Sequence, residues 1–509
     1  MALKDSWCPS EVFTMSLLAA AVLALSVSTY GIGLSNDSVA YWAAANSFYS
    51  EGIFFLPYRD TYFTDWPPLF SIFLSTAHFL QIDNKLFFYS LQVVGVYFTV
   101  LCIIGTLAYQ FTKSRLFSVI TLILFITAPP TFFPFSYLWT ETYFILFTIM
   151  FVVGLDRYLT GQGRYMLFFC ITMAALSILV RYAGIVNIAT GCLILFFYGN
   201  ESAFNKLKRT LLFGILSCIP LLLWLIRNFL ISSTFTGEGR TVEFAHLKYS
   251  LVMVAKAVWE WFLPYPQHPH AGILTIILLG IAIAGIGYFV YLNFKQNKAK
   301  KALLLILLIN SVLSLLLIFF SSLFQSSDFP DARLTSPAFF SFLLILVCIA
   351  DHLVSVKSRV GIGALLLFFG VTAIYNFNRY YSYSKQSFDV GVEGLTDQAF
   401  YESEIISDLQ SANWLPNYTN NQTAFSNLPE ILYFRNIYGT LKITKGFRNH
   451  LSEQFEKESE EKLIIWIGDK TNLEELIGKV LTKYTVDRKK EFSDGVILWL
   501  KLKQKPFCM

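Results

Sequence analysis

Four carboxylates lie in one short stretch of the chain, residues 36–69, between two long apolar segments. They are Asp37, Glu51, Asp60 and Asp65. The stretch begins N-D-S-V-A-Y-W directly after a hydrophobic segment and ends F-T-D-W-P-P-L. A carboxylate that leaves an apolar helix lies at a membrane–water boundary, where it can stay ionised and act as a general base. The pattern predicts a polar reaction chamber at one face of a membrane.

Asp37 is the leading candidate for the base; the alternative is a polar residue that only marks the end of a helix. Asp65 precedes Trp66 and two prolines, which restrict the backbone and hold the carboxylate at a fixed angle. Asp65 is therefore either a turn residue or half of a carboxylate pair that binds a divalent ion or orients an acceptor. We interpret Glu51 and Asp60 as solvated residues.

Charged residues elsewhere in the chain extend this set. Glu141, in T-E-T-Y-F, lies near the outer end of an apolar helix, where a carboxylate is either functional or bound to a neighbouring helix. Arginine binds phosphate through two parallel hydrogen bonds. The arginines expected on the same side of the membrane are Arg181, Arg240 and Arg333. Lys256 and Arg227, also on that side, are better explained by snorkelling or salt bridging.

The composition indicates a membrane protein. The 509-residue chain is 55% hydrophobic and only 14% charged, whereas a soluble domain carries roughly 25% charged residues. At ~20 residues per span, we predict an α-helical polytopic protein with about eleven transmembrane helices. They are 12–34, 86–110, 116–130, 138–156, 165–180, 184–198, 210–231, 271–294, 302–323, 334–353 and 359–377. The short segment 67–82 begins with two prolines, and we interpret it as a surface helix rather than a span.

The basic residues set the predicted orientation. The formal net charge of +5 comes largely from short loops between apolar segments, which topology control explains better than nucleic-acid binding does. Eleven spans place every basic cluster on one side, so we expect a cytoplasmic N-terminus and an extracytoplasmic C-terminus. The first apolar stretch is too long for a signal-peptide core and is interpreted as an uncleaved helix.

The sequence predicts two domains. Residues 1–379 form the transmembrane domain with outer loops over 35–85 and 232–270, and residues 380–509 form a small extramembrane α/β domain. The β-rich runs of the tail are Leu463–Ile467 and Val496–Leu502, and its helical pattern is Asn472–Leu481. The tail has no glycine-rich phosphate loop. Seven scattered cysteines indicate neither a disulfide framework nor a zinc site.

These motifs, in this order, resemble the GT-C superfamily of membrane glycosyltransferases, especially the protein O-mannosyltransferase and aminoarabinose-transferase branch. Asp37 stands where that family has its catalytic acid, and F-T-D-W-P-P-L resembles the family's acidic-x-Pro-Pro-Leu segment. T-E-T-Y-F looks like its second acidic site, and R-N-F-L and A-R-L-T-S-P are similar to later motifs. The tail segment A-F-S-N-L-P-E-I-L-Y-F is similar to outer domains of some bacterial relatives. Ser38 and Trp66 depart from the family pattern, so metal use and donor identity do not carry over.

The resemblance implies transfer of a hexosyl or pentosyl group from a polyprenyl-phosphate donor, with inversion, to a lipid, glycan or protein acceptor. Asp37 would be the general base, while Asp65 and Glu141 would position the acceptor or a metal ion. The donor phosphate would be bound by Arg181, Arg240 and Arg333. The implied cofactor is a divalent ion (Mg²⁺, Mn²⁺ or Zn²⁺), with Asp65 as its candidate ligand. The richness in Phe, Ile and Lys indicates a bacterial source, and we therefore expect the protein in the inner (plasma) membrane of the cell envelope.

Two other functions remain open at this stage. A secondary transporter or lipid flippase places ionisable residues near the midplane, on broken helices and often in internal repeats. Here the acids are expected at outer helix ends, and we find no convincing repeat. A non-catalytic assembly partner would tolerate loss of the Asp37 carboxylate. The tail domain either gates the acceptor or covers the chamber.

Overall fold

The computed structural model describes most of the chain, and all structural statements below concern this part. It comprises residues 9–163, 165–198, 202–237, 247–264, 298–324, 330–411, 423–445, 450–457, 461–468 and 480–503, with isolated positions within 272–287 and at 473 and 478. The chain divides into two compact units. The first is Met1–Ile32, Thr64–Phe73 and Ile82–Val392; the second is Gly33–Phe63, Leu74–Gln81 and Glu393–Met509. Most of the loop predicted over 35–85 therefore groups with the C-terminal segment, whereas Thr64–Phe73 belongs to the first unit.

Helices dominate the described residues. In chain order they are Ser10–Ser26 (α1), Asn36–Glu51 (α2), Leu69–Phe79 (α3), Lys85–Thr112 (α4), Arg115–Thr127 (α5), Pro129–Ser136 (α6), Glu141–Leu159 (α7), Tyr165–Val180 (α8), Ile185–Phe197 (α9), Ala203–Ser232 (α10), Leu247–Trp259 (α11), Lys298–Leu323 (α12), Ala332–Ser355 (α13), Arg359–Val390 (α14), Gln398–Tyr401 (α15), Glu404–Ser411 (α16), Pro429–Phe434 (α17) and Glu453–Glu456 (α18). Several begin at a polar N-cap whose side chain accepts a first-turn N–H, as Asn84, Ser114 and Asp331 do. Such caps explain why these helices begin where they do.

The helices agree with a polytopic membrane protein. Six of them are long and apolar enough to cross a membrane, and a seventh span arises if α5 and α6, bent by 57° at the break between them, count as one. Ten of the eleven predicted spans coincide with helices, while most of 271–294 lies outside the described residues. The number of spans therefore stays a prediction. The predicted helix within 67–82 is confirmed as α3.

The bounds of two helices differ from the prediction. The first ends at Ser26 rather than near residue 34, and Asn36 begins a separate helix, α2. The last long helix, α14, continues to Val390. Its second half carries the polar and aromatic run N-F-N-R-Y-Y-S-Y-S-K, which an apolar criterion does not recognise as helix. Asp37 consequently does not end the first helix; it lies in the first turn of α2.

Two helices form the centre of the first unit. The most apolar window of α13 is 61% buried and that of α7 is 56% buried, against 17% for α10 and for α14. Small and aromatic side chains such as Ala338, Phe339 and Phe144 fill this core. The N-terminal ends of these two central helices carry Glu141 and Arg333, so the site described below rests on the best-packed part of the unit.

A buried polar network joins four helices. The Asn187 amide on α9 donates to Thr148 Oγ1 on α7 at 2.9 Å and to Ser177 Oγ on α8 at 3.0 Å. Asn310 on α12 donates to Asn187 Oδ1 at 3.0 Å. Both asparagines are fully buried. Hydrogen bonds of this kind fix the relative rotation of apolar helices whose other contacts are non-directional.

The second unit contains a five-stranded mixed sheet. In chain order, the strands of the second unit are Phe55–Leu56 (β1), Thr61–Tyr62 (β2), Thr423–Ser426 (β3), Thr440–Lys442 (β4), Thr444–Lys445 (β5), His450–Leu451 (β6), Glu461–Ile467 (β7), Tyr484–Phe492 (β8) and Gly495–Leu502 (β9). The sheet order is β4-β3-β7-β9-β8, with β3 parallel to β4 and β7, and β1 pairs with β2 as a hairpin. The predicted strands Leu463–Ile467 and Val496–Leu502 are confirmed. Most of the predicted helix Asn472–Leu481 lies outside the described residues.

Replacing Asn310 by Ala should destabilise the first unit by about 0.6–2 kcal/mol, because the network loses one buried member. The measurement is the thermal unfolding of the detergent-solubilised protein. Because Asn187 shares a hydrogen bond with Asn310, the double Ala variant should cost less than the two single variants together. Asn205→Ala, at the exposed start of α10, is the control. Strictly additive costs would show that the two asparagines do not form one network.

Candidate functional site

Three predicted site residues meet in the first unit. Glu141 is the first residue of α7, Arg181 precedes a 3₁₀ turn at Tyr182–Gly184, and Arg333 lies in the first turn of α13. The turn after Arg181 needs glycine, because a Cβ on Gly184 would lie 2.4 Å from the backbone nitrogen of Ile178. Segments far apart in the sequence thus bring one carboxylate and two guanidinium groups together.

Both arginines bind the same carboxylate oxygen. Arg181 Nη1 lies 2.5 Å from Glu141 Oε1, and Arg333 Nε donates to the same atom. Thr140 Oγ1 donates to Glu141 Oε2 at 3.1 Å and accepts a hydrogen bond from Arg181 at 3.2 Å. The Glu141 side chain is 1% exposed, whereas Arg181 is 22% and Arg333 15% exposed. The carboxylate therefore lies beneath the two cations, and the accessible face of this triad is positive.

Neighbouring residues hold Arg333 in place. Its guanidinium lies 4.0 Å from the ring centroid of Trp139, which stacks on Tyr137 at 4.0 Å and an interplanar angle of 5°. Asp331, the N-cap of α13, accepts from the Leu334 backbone N–H at 2.8 Å. Burial raises the pKa of the Asp331 carboxyl, against the opposite effect of Arg333.

Asp65 lies in a segment that touches two of these elements. The carbonyl of Thr64 accepts from Tyr182 Oη at 3.5 Å, next to Arg181, and from Asn228 Nδ2 at 3.3 Å. Phe73 stacks on Tyr143, two residues after Glu141, at 4.7 Å. Gly237 has φ +80°, and a Cβ there would collide with the Asp65 carboxylate. The positive φ favours glycine at this position, where the backbone runs close to Asp65.

Asp37 belongs to the second unit. Ser35 caps α2, and a reciprocal capping box joins Ser35 and Ser38 around the half-buried Asp37. The first turn of a helix stabilises negative charge through the helix dipole. Glu51 and Asp60 are exposed, in agreement with their interpretation as solvated residues.

The remaining predicted residues have different outcomes. Arg240 lies outside the described residues. Arg227 packs over Trp224 at 4.5 Å, and Lys256 faces Glu260 at 4.0 Å, which are structural contacts. Among the residues that the structure describes, no group of three or more His, Cys, Asp or Glu could hold a metal ion.

Sequence reasoning missed several members of this site. Thr140 and Trp139 adjoin Glu141 in the same motif, but a threonine and a tryptophan in an apolar segment carry no distinctive signal. Asp331 did carry a recognisable signal, because an Asp directly before an apolar helix is an N-cap pattern. A second cluster of charges was missed as well; it surrounds Glu430 and is treated below.

The fold has relatives among solved structures. ArnT from Cupriavidus metallidurans in the apo state matches with a TM-score of 0.58 at 12% identity, over 96% of this chain and 97% of ArnT. The same protein bound to undecaprenyl phosphate gives a TM-score of 0.56 at 12% identity over the same shares. The archaeal oligosaccharyltransferase AglB from Archaeoglobus fulgidus, in complex with an inhibitory peptide and a dolichol-phosphate, gives 0.50 at 12% identity, over 93% of this chain and 69% of AglB. No family model and no curated protein matches the sequence.

These matches confirm the predicted fold. ArnT and AglB are GT-C superfamily membrane glycosyltransferases, and each match extends over more than nine-tenths of this chain. The chain therefore has the fold of these two proteins, with helices long and apolar enough to cross a membrane and a small C-terminal sheet.

Replacing Glu141 by Gln should destabilise the protein by about 3–5 kcal/mol, because two partly buried guanidinium groups lose their common carboxylate. Thermal unfolding in detergent measures the effect. Glu260→Gln is the matched control, since its partner Lys256 is 4.0 Å away and both side chains are at least one-third exposed. Equal unfolding temperatures for Glu141→Gln and the wild type would refute the ion-pair arrangement.

Proposed function

We propose that this protein is a membrane glycosyltransferase that moves a sugar from a polyprenyl-phosphate donor to an acceptor on the extracytoplasmic face. One observation carries the proposal: Arg181 and Arg333 both bind the buried Glu141 carboxylate, and both guanidinium groups are more exposed than that carboxylate. The accessible positive charge of this triad suits a phosphate group. The GT-C fold supports the same assignment, and two structures with this fold contain a polyprenyl-type phosphate.

The arginines are the proposed binding site for the donor phosphate. Arg181 and Arg333 present rigid planar donors of the kind that bind phosphate through two parallel hydrogen bonds. Arg240 remains a proposed ligand of the donor phosphate, as predicted from the sequence. Glu141 then has a different role from the one expected: it positions the two arginines instead of contacting the acceptor. Asp65 remains the proposed residue for positioning the acceptor.

The proposed reaction is a single displacement at the anomeric carbon. Asp37 removes the proton of the acceptor hydroxyl, whose oxygen forms a bond to the anomeric carbon as the bond to the phosphate oxygen breaks. The lipid phosphate leaves with both electrons of that bond, and the arginines stabilise its negative charge. The configuration at the anomeric carbon is inverted.

A divalent metal ion would lower the charge of the leaving phosphate when bound, with Asp65 as a proposed ligand. The described residues do not by themselves supply a ligand set, so no step above requires it. Assays with EDTA, followed by addition of Mg²⁺, Mn²⁺ or Zn²⁺, test whether the reaction needs a metal.

The proposed setting is the bacterial plasma membrane. We place the N-terminus in the cytoplasm and the C-terminal domain outside, because the basic loops of the predicted topology then face inwards. The predicted outer loop 232–270 and the chain segment 33–63 face the acceptor side in this arrangement. The acceptor is a lipid, a glycan or a protein of the cell envelope.

Asp37→Asn should reduce sugar transfer by about 10²–10⁴-fold, because the amide cannot take the acceptor proton. Membranes containing each variant are supplied with labelled polyprenyl-phosphate sugars, both hexosyl and pentosyl, and release of the lipid phosphate is measured. Asp60→Asn is the matched control from the same loop: it is exposed with φ +53°, a conformation that Asn accepts.

The outcomes of this assay separate the candidate functions. A folded Asp37→Asn variant that transfers sugar at the wild-type rate would refute the assignment of the base. Movement of the donor across the membrane without its cleavage would favour a transporter or flippase. A protein that neither cleaves nor moves the donor would favour an assembly partner.

Arg333→Lys and Arg181→Lys should each raise the donor KM by about tenfold or more. A planar guanidinium can donate hydrogen bonds to Glu141 and to the phosphate at the same time, and the ammonium group of lysine cannot replace it in this. Inhibition by the free lipid phosphate should weaken in parallel. Arg115→Lys is the control, because Arg115 also pairs with a carboxylate, Glu11, at 2.7 Å but in an exposed position. Unchanged donor KM in both triad variants would move the phosphate site elsewhere.

A further inference from the structure

We propose that Glu430 of the C-terminal domain is a positioning residue for the helix that carries Asp37. The inference rests on the proposed function, because it gives the domain a part in the same reaction. All residues that carry it lie in the second unit, where the segment 33–63 and the C-terminal segment are packed together. The contacts occur at three places along that segment.

The first contact fixes the start of α2. Leu34, three residues before Asp37, accepts from the Leu395 backbone N–H at 2.8 Å. Its own N–H donates to Thr396 Oγ1 at 3.3 Å. Leu34 and Thr396 are both fully buried. The backbone that leads into the Asp37 turn is therefore held by the segment that begins the C-terminal domain.

The second contact holds one face of α2. Trp42 packs edge-on against Phe434 with ring centroids 5.5 Å apart. Asn46, one turn further, donates to Tyr433 Oη at 3.0 Å. Residues four apart lie on the same face of a helix, and their two partners are adjacent on α17. This helix of the C-terminal domain therefore sets the rotation of α2 about its axis.

The third contact is an ion cluster around Glu430, in the first turn of α17. The Glu430 side chain is 0% exposed; Lys442 Nζ lies 2.7 Å and Arg59 Nη2 3.8 Å from its Oε1. The Lys442 backbone N–H also donates to the Tyr58 carbonyl at 3.2 Å. Because Arg59 belongs to the hairpin of the first loop and Lys442 to β4, the carboxylate attaches the loop to the sheet.

Tyr58 links this cluster to Asp37. Its ring is 2% exposed and packs against Tyr433 at 5.7 Å. Its hydroxyl is buried without a hydrogen-bond partner among the described residues. Burial raises the pKa of Tyr58 well above its ordinary value, and both Glu430 and Asp37 act on it electrostatically. A change at Glu430 can therefore reach α2 through Tyr58 and Tyr433, since the Tyr433 hydroxyl accepts from Asn46 of that helix.

The experiment compares Glu430→Gln with the wild type in the sugar-transfer assay. Misplacing a catalytic group by about 1 Å costs on the order of 10²-fold in rate, so kcat should fall by about tenfold or more. The donor KM should stay within about twofold, because the arginine triad is untouched. Lys442→Arg keeps the charge and should retain most of kcat. Asp408→Asn is the matched control, since it breaks the Lys490 ion pair of the same domain, 2.7 Å long.

Hydrogen exchange provides a readout that does not depend on activity. Amide exchange in residues 33–63 should accelerate in Glu430→Gln and stay unchanged in Asp408→Asn. If Glu430→Gln does not fold, Tyr433→Phe, which removes only the acceptor of Asn46, serves in its place with a smaller fall in kcat. Wild-type kcat or unchanged exchange in these variants would overturn the inference while leaving the proposed function intact. An inactive wild type with faster exchange in Glu430→Gln would instead refute the proposed function alone.

Discussion

The buried carboxylate of Glu141 is the constraint on which the centre of the first unit depends. A carboxylate with 1% exposure is strongly unfavourable unless cations and hydrogen bonds compensate it. The compensating groups come from the turn before α9 and from α13, the latter 192 residues away in sequence. The helices that carry Glu141, Arg181 and Arg333 must therefore keep one relative arrangement. The best-buried helices of the unit, α7 and α13, meet this requirement.

Stability alone does not account for such an arrangement. Replacing a buried ion pair with apolar residues is often neutral or stabilising. Arg333 also lies in the first turn of α13, where the helix dipole opposes a cation, and the cap Asp331 offsets this only in part. The N-terminal ends of two helices and two arginines thus concentrate positive potential above one carboxylate. A bound anion, as proposed for the donor phosphate, would lower this positive potential.

The sequence predicted the transmembrane architecture well because hydropathy is local information. Ten of the eleven segments predicted from apolar runs are helical, and most of the eleventh lies outside the described residues. Charged residues within apolar runs stood out as site candidates. The end of the first helix was wrong because V-S-T-Y-G-I-G-L continues the apolar composition after Ser26. The capping box at Ser35 and Ser38, which begins α2, was readable but was not weighed against that composition.

The sequence could not predict which distant side chains contact one another. Nothing in the order of residues shows that Arg181 and Arg333 share one oxygen of Glu141, because this depends on how distant helices pack. The role of Glu141 was therefore assigned to the acceptor or a metal ion instead of to the arginines. The Glu430 cluster was missed for the same reason: Arg59, Lys442 and Glu430 are unremarkable charges until the hairpin and the sheet meet.

The two buried glutamates, Glu141 and Glu430, are stabilised in the same way. Each lies in the first turn of a helix, and each presents one oxygen to two cations from other segments. A carboxylate shared in this way cannot lose either partner segment without leaving charge uncompensated. A domain that only covered a chamber could dock through apolar contacts that tolerate sliding. The C-terminal domain instead uses a buried carboxylate to fix the hairpin that follows α2, which is the contact expected of an element that sets the position of Asp37.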